Sequence, residues 1–158
     1  LASLAVKFWL ASRQMRHVAR HRNAVPAPFA EKVTLQAHQK AADYTIEKGR
    51  VGLFETAFGA AVLLGWTLLG GLDLLNRTLM DLLGAGMAQQ LALIAAFALI
   101  GGLLDLPFSL YQTFVVEERF GFNKMTWKLW LADALKGVAI AAAIGLPIVW
   151  LILWLMGA

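Results

Sequence analysis

Two histidines four residues apart, His17 and His21, stand in the run HVARH. On a helix that spacing puts both imidazoles on one face, a metal-ligand arrangement. A zinc-peptidase helix of the form H-E-x-x-H needs a glutamate directly after the first histidine to act as general base. Val18 occupies that position, and flanking arginines would repel a dication. Two headgroup-level histidines in a basic stretch are the competing reading. His38 is a lone helical histidine, expected to face solvent. Glu117 and Glu118 are adjacent, so on a helix they point about 100° apart and cannot meet one substrate from a single face. A structural ion pair with Arg119, Lys124 or a neighbouring helix accounts for them without chemistry. Asp105 and Asp133 lie near the ends of apolar runs, where carboxylates can be functional. Helix capping, and pairing of Asp133 with Lys136 three residues on, explain them as well. Gln89 and Gln90 need partners near one end of an apolar run and read as interhelical glue rather than a transport path. The chain has no cysteine, hence no disulfide or thiolate site. It also lacks a Gly-rich phosphate loop, a G-x-S-x-G elbow and a Ser/His/Asp cluster. None of these groups makes an active site alone.

The elements that must position them are set by three charge-free stretches: Thr56–Leu72 (17 residues), Leu82–Leu104 (23) and Gly137–Ala158 (22). A bilayer core of about 30 Å takes roughly 20 apolar helical residues. Two runs reach that length, and the first does so if residues beyond a bounding charge are counted. Backbone in lipid must satisfy its own hydrogen bonds, so each run is expected to be helical. The 158 residues are 59% hydrophobic, against roughly 45–50% in soluble domains. The expected fold is an all-α integral membrane bundle of three full transmembrane helices plus the end of an earlier one, with interfacial helices. Residues 1–12 read as the tail of that earlier span, with Lys7 as their one charge. They lack the charged start and cleavage site of a signal peptide. The sequence reads as a piece of a longer membrane protein.

Polar segments lie between the runs. Residues 13–50 hold eight basic and three acidic side chains. Arg13, Arg16, Arg20 and Arg22 are expected at lipid headgroups. No aromatics interleave with this charge, which disfavours nucleic acid as a partner. Pro26 and Pro28 break the segment, and one long helix is expected from Phe29 to about Leu72. Residues 73–86 are expected to form a tight turn, and Asp105-Leu106-Pro107 to close or kink the second span. Phe108–Arg119 should be an interfacial helix, followed by a turn at Phe120–Asn123 with Gly121 or Asn123 in left-handed backbone. Thr126 or Asn123 would cap the last helix, whose Gly137, Ala141 and Gly145 make a close-packing seam. Residues 51–158 thus form a three-span region with a polar segment at 105–136. The two long polar segments hold twelve basic residues and the middle loop one, Arg77. The positive-inside rule places residues 13–50 and 105–136 in the cytoplasm. Short loops and alanine-rich spans point to a bacterial inner membrane, with the endoplasmic reticulum as the alternative.

The run LPFSLYQTFVVEERFGFNKMT, from Leu106 to Thr126, with Asp133 and Lys136 downstream, closely resembles a signature of the type I CAAX prenyl proteases. Arg13-Gln14, Val25-Pro26 and the Lys40, Tyr44, Lys48 ladder are similar too. Met125 stands where that family would have glutamine. The resemblance covers Arg13 to about Lys136.

It implies the N-terminal membrane region of an integral-membrane zinc metalloendopeptidase, contributing wall to a large intramembrane chamber. The zinc-binding helix and a third ligating glutamate would come later, so no catalytic or metal residue falls in this chain, which should be inactive alone. Zinc is implied for the full-length protein, where it would polarise the scissile carbonyl and activate water. Implied partners are membrane lipids, the C-terminal catalytic region, and a peptide or protein substrate. Glu117, Glu118, Asn123, Lys124 and Thr126 are the candidate structural residues at the chamber entry. A small transporter or channel subunit, motivated by Gln89, Gln90 and Asp105, and a non-enzymatic membrane scaffold are the alternatives.

Overall fold

The computed structural model describes residues 2–157, and all regular structure among them is helical. Helix α1 spans Ala2–His21. After Pro26, a short 3-10 turn at Ala27–Phe29 redirects the chain. Helix α2, Leu35–Thr67, starts later than expected, because Thr34 provides the cap. Its Oγ1 accepts the Ala37 N–H at 3.2 Å, satisfying a donor that a helix start otherwise leaves unpaired.

Helix α2 also stops earlier than expected, at Thr67. Gly70 adopts φ 77°, and the Leu69 N–H reaches back to the Leu64 carbonyl at 3.1 Å, closing the end with left-handed glycine. Helix α3, Gly71–Leu83, follows, bent 53° from α2. Residues 73–83, expected in a turn, are therefore helical. Their leucines recur on one helical face around Leu75 and Leu79, and that periodicity outweighs the polar Asp73, Asn76, Arg77 and Asp81. The turn itself is confined to Gly84–Gly86, with Gly84 at φ 73°.

Helix α4 covers Met87–Tyr111 and passes through Pro107 without stopping. It runs directly into six residues of π-helix, Gln112–Glu117. Proline lacks the N–H that would pair with the carbonyl four residues back, which removes one bond of the ladder without ending the helix. The expected break at Pro107 is thus absent, and Phe108–Glu117 continues the span. The combined helix of 31 residues is about 46 Å long at 1.5 Å per residue. That exceeds a core of about 30 Å. Gly121, at φ 67°, then turns the chain as expected.

Helix α5, Trp127–Gly157, is capped by Thr126, whose Oγ1 accepts the Leu129 N–H at 3.3 Å. It buries none of its side chains, and a Cβ at Gly137 or Gly145 would touch nothing within 4 Å. Met87–Glu117 and Trp127–Gly157 are each long and apolar enough to cross a bilayer, and α2 with α3 makes a third span if the bent pair is counted as one. The protein is an all-α integral membrane bundle.

The residues fall into two compact units. One holds the chain up to Leu63 with Pro107–Asn123, the other Leu64–Leu106 with the chain from Lys124 onward. In the second unit Gln89 is 94% buried and its Nε2 donates to Asn76 Oδ1 at 2.5 Å, linking α4 to α3. The interhelical role expected of Gln89 is met there, while Gln90 is exposed.

Candidate functional site

The charged half of α2, Leu35–Arg50, collects most of the polar contacts in the first unit. On one side it meets the end of α1. Arg22 donates from Nε to Asp43 Oδ1 at 2.6 Å and from Nη2 to Oδ2 at 2.7 Å. This fork holds the Asp43 carboxyl below the ordinary carboxylate range and raises the Arg22 guanidinium further, the hydrogen bonds being the largest cause in both. Arg22, grouped by sequence with the headgroup contacts, thus commits its charge within the protein. Arg13, Arg16 and Arg20 remain exposed, Arg13 lying 5.4 Å from the centre of the Trp9 ring.

The histidines also meet here. His21 Nδ1 lies 2.8 Å from the His17 carbonyl, and the two rings are 4.2 Å apart. His38 Nε2 donates to the His21 carbonyl at 3.0 Å, so His38 is half-buried rather than solvent-facing. Together with Val18, Ala41 and Ala42 they line a small cavity of about 260 Å³. His21 Nδ1 and His38 Nε2 bond carbonyls at the end of α1, and among the described residues no three His, Asp or Glu side chains converge to hold a metal ion.

On its other side α2 receives residues 112–123. Phe120 and Phe122 pack edge-on against Tyr44, at 5.5 and 5.0 Å between ring centres. Lys40 Nζ sits 5.4 Å over Phe122, and Arg119 pairs with Glu47 at 3.4 Å. Lys40, Tyr44 and Glu47 share one helical face at i, i+4, i+7. Val116, in the π segment, is 99% buried, the most enclosed of the large side chains. Sequence reasoning noticed the Lys40–Tyr44–Lys48 spacing but missed Glu47 as Arg119's partner and the π turn. The signal for Glu47 was its place on that ladder, matched by the charge preceding Phe120. No residue pattern signals the π turn.

Glu118 accepts from Asn123 Nδ2 at 2.9 Å across the Gly121 turn. The Phe122 and Asn123 N–H groups both reach the Glu117 carbonyl, at 2.9 and 3.2 Å. The Glu117 side chain is half-buried and carries no polar partner among the described residues. Of the five expected entry residues, the fold joins Glu117, Glu118 and Asn123 in one turn. Lys124 and Thr126 belong to the other unit, where Thr126 is the α5 cap and Lys124 is exposed. Asp133 pairs with Lys136 at 3.8 Å, while Asp105 is exposed on α4.

Comparison with known proteins bears on this arrangement. A family model described as "CAAX prenyl protease N-terminal, five membrane helices" matches residues 14–158. CAAX prenyl protease 1 of Saccharomyces cerevisiae is 29% identical over 97% of the chain and 36% of the relative. The human homolog of that protein is 31% identical over 99% of the chain and 35% of the relative. The crystal structure of S. mikatae Ste24p superposes with TM-score 0.84 at 29% identity, covering 95% of this chain and 36% of that one. The chain spans about a third of the length of the curated relatives it matches.

Proposed function

Because this chain belongs to the CAAX prenyl protease N-terminal family, we propose that it serves as wall and entry of an intramembrane peptidase chamber, without contributing to the zinc site. The whole protein would cleave a peptide or protein substrate with a metal-activated water, the metal and general base coming from outside this sequence. Residues 13–50 and 105–136 would face the cytoplasm, the side that their twelve basic residues favour.

The observation that carries this reading is Glu117. It lies on a turn stiffened by Glu118–Asn123 and by the Tyr44 aromatic cluster, yet its own carboxylate is half-buried and has no polar partner among the described residues. A half-buried carboxylate without a donor is costly unless another part of the protein meets it. Glu117 would dock the catalytic part, and the clamp behind it would hold the entry in register. Alanine at Glu117 or Asn123 in the full-length protein should lower peptidase activity while leaving the amount of folded protein in the membrane near wild type. Unchanged activity and stability in both variants would remove the docking role.

A further inference from the structure

A groove of about 480 Å³ opens between α2 and the end of α4, lined by Glu47, Arg50, Val51, Phe54, Phe108 and Tyr111 with Pro107 at its edge. That volume lies within the range of roughly 300–1,000 Å³ typical of small-molecule sites. Its lining is ordered by polarity. Glu47 and Arg50 on α2 supply its charged groups, and Tyr111 on α4 its one hydroxyl. Val51, Phe54, Pro107 and Phe108 form the walls, and Phe58 meets Phe108 at 5.2 Å beyond them. A polar mouth over an apolar trough fits one amphiphile.

We propose that this groove holds one anionic phospholipid, with its phosphate against Arg50 and an acyl chain along Phe54 and Phe108. The charge at the mouth favours it. Glu47 and Arg50 are the charged groups of the lining, and Glu47 is shared with Arg119, at 3.7 Å from Arg50 and 3.4 Å from Arg119, so it does not hold Arg50 closely. Arg50 is 66% exposed, and 3.7 Å is beyond hydrogen-bonding reach. Its planar fork of five donors therefore remains open to a phosphate. Lys48 does not compete, being drawn to Tyr44 at 3.5 Å. Glu55, the next charge on α2, is exposed and outside the groove's lining. Depth agrees as well. Arg50 is the last cation before the apolar part of α2, the level at which a helix passes from headgroups to hydrocarbon. The inference rests on the groove and not on the peptidase reading.

The test uses the full-length protein containing this chain, extracted in mild detergent and analysed by native mass spectrometry after reconstitution in nanodiscs of phosphatidylglycerol or phosphatidylcholine. One phosphatidylglycerol should be retained per protein. Arg50→Gln should lower that retention about five-fold, the effect of one basic residue at an anionic surface. Phe54→Ala, a change at an exposed side chain, should lower it too. Lys32→Gln, also exposed but outside the groove, should leave it unchanged. Wild-type retention in Arg50→Gln, or equal retention of phosphatidylcholine, would overturn the proposal. So would displacement of the lipid by an isoprenylated peptide, which would make the groove part of the substrate path.

Discussion

Arg22 grips Asp43 across 21 residues of sequence, with Nε and Nη2 each donating to a different carboxylate oxygen. A bidentate fork fixes orientation as well as distance, so it sets how the end of α1 lies on α2. Its pH behaviour follows from the depressed Asp43 carboxyl. A carboxyl whose folded value lies below its unfolded one stabilises the fold fully above the ordinary range near 3.9. That contribution is lost as pH falls through the lower, folded value. Protection of the α1–α2 junction against trypsin or hydrogen exchange should be flat from about pH 5 upward and should fail only in stronger acid. Asp43→Asn should remove this acid dependence and raise cleavage after Arg20 modestly at neutral pH, since the pair is partly exposed.

Gln89 and Asn76 make the buried polar link of the second unit. Gln89→Ala should destabilise the bundle by about 0.6–1.7 kcal/mol, the span measured for interhelical hydrogen bonds in membranes. Replacing both residues by leucine should restore most of that loss, because no unpaired polar group is then left behind. Unfolding in mixed detergent micelles measures both effects, and a double variant weaker than either single one would contradict the link.

Gly121 holds the turn that presents Glu117, with φ at 67°. Alanine there should cost about 1–2 kcal/mol from the left-handed backbone alone, and asparagine, which tolerates that region, less. Tyr44→Ala and Phe122→Ala, at ring centres 5.0 Å apart, should show a coupling of about 0.5–1.5 kcal/mol in a double-mutant cycle. Additive effects would mean that the aromatic clamp does not hold the turn.

The absence of cysteine makes topology directly measurable. A single cysteine at Ser12 or Thr34 should react with an impermeant maleimide only from the cytoplasmic side. One at Thr78 on α3 should react only from the opposite side. The reverse pattern would invert the arrangement proposed from charge.

Much of the fold was legible in residue order because lipid allows few solutions. Charge-free runs of this length must be largely helical, and they are, apart from the break at residues 68–70 and the turn at Gly84–Gly86. Local chemistry was legible as well: Thr126 caps α5, Gly121 takes the left-handed turn, and Asp133 pairs with Lys136. The boundaries were less so. Phe29 looked like a helix start until Thr34 proved the better cap. Pro107 reads as a stop, but a single missing donor does not end a helix whose other bonds are made, and α4 runs on to Tyr111. Polar residues at 73–81 masked the leucine periodicity of α3.

The sequence by itself determined that this is a helical membrane protein of the CAAX prenyl protease family, because both conclusions rest on residue types in order: apolar runs for the first, the stretch from Leu106 to Thr126 for the second. Only the tertiary structure could decide that Arg22 turns to Asp43, that His38 folds under His21, that Arg119 finds Glu47, and that Glu117 meets no donor among the described residues. Each depends on how separate segments pack: Arg22 and His38 on the α1–α2 junction, and Arg119 on the register of α2 against residues 72 positions further along the chain. Periodicity states which face of a helix a side chain occupies. It does not state what faces it, since that is set by packing across the bundle.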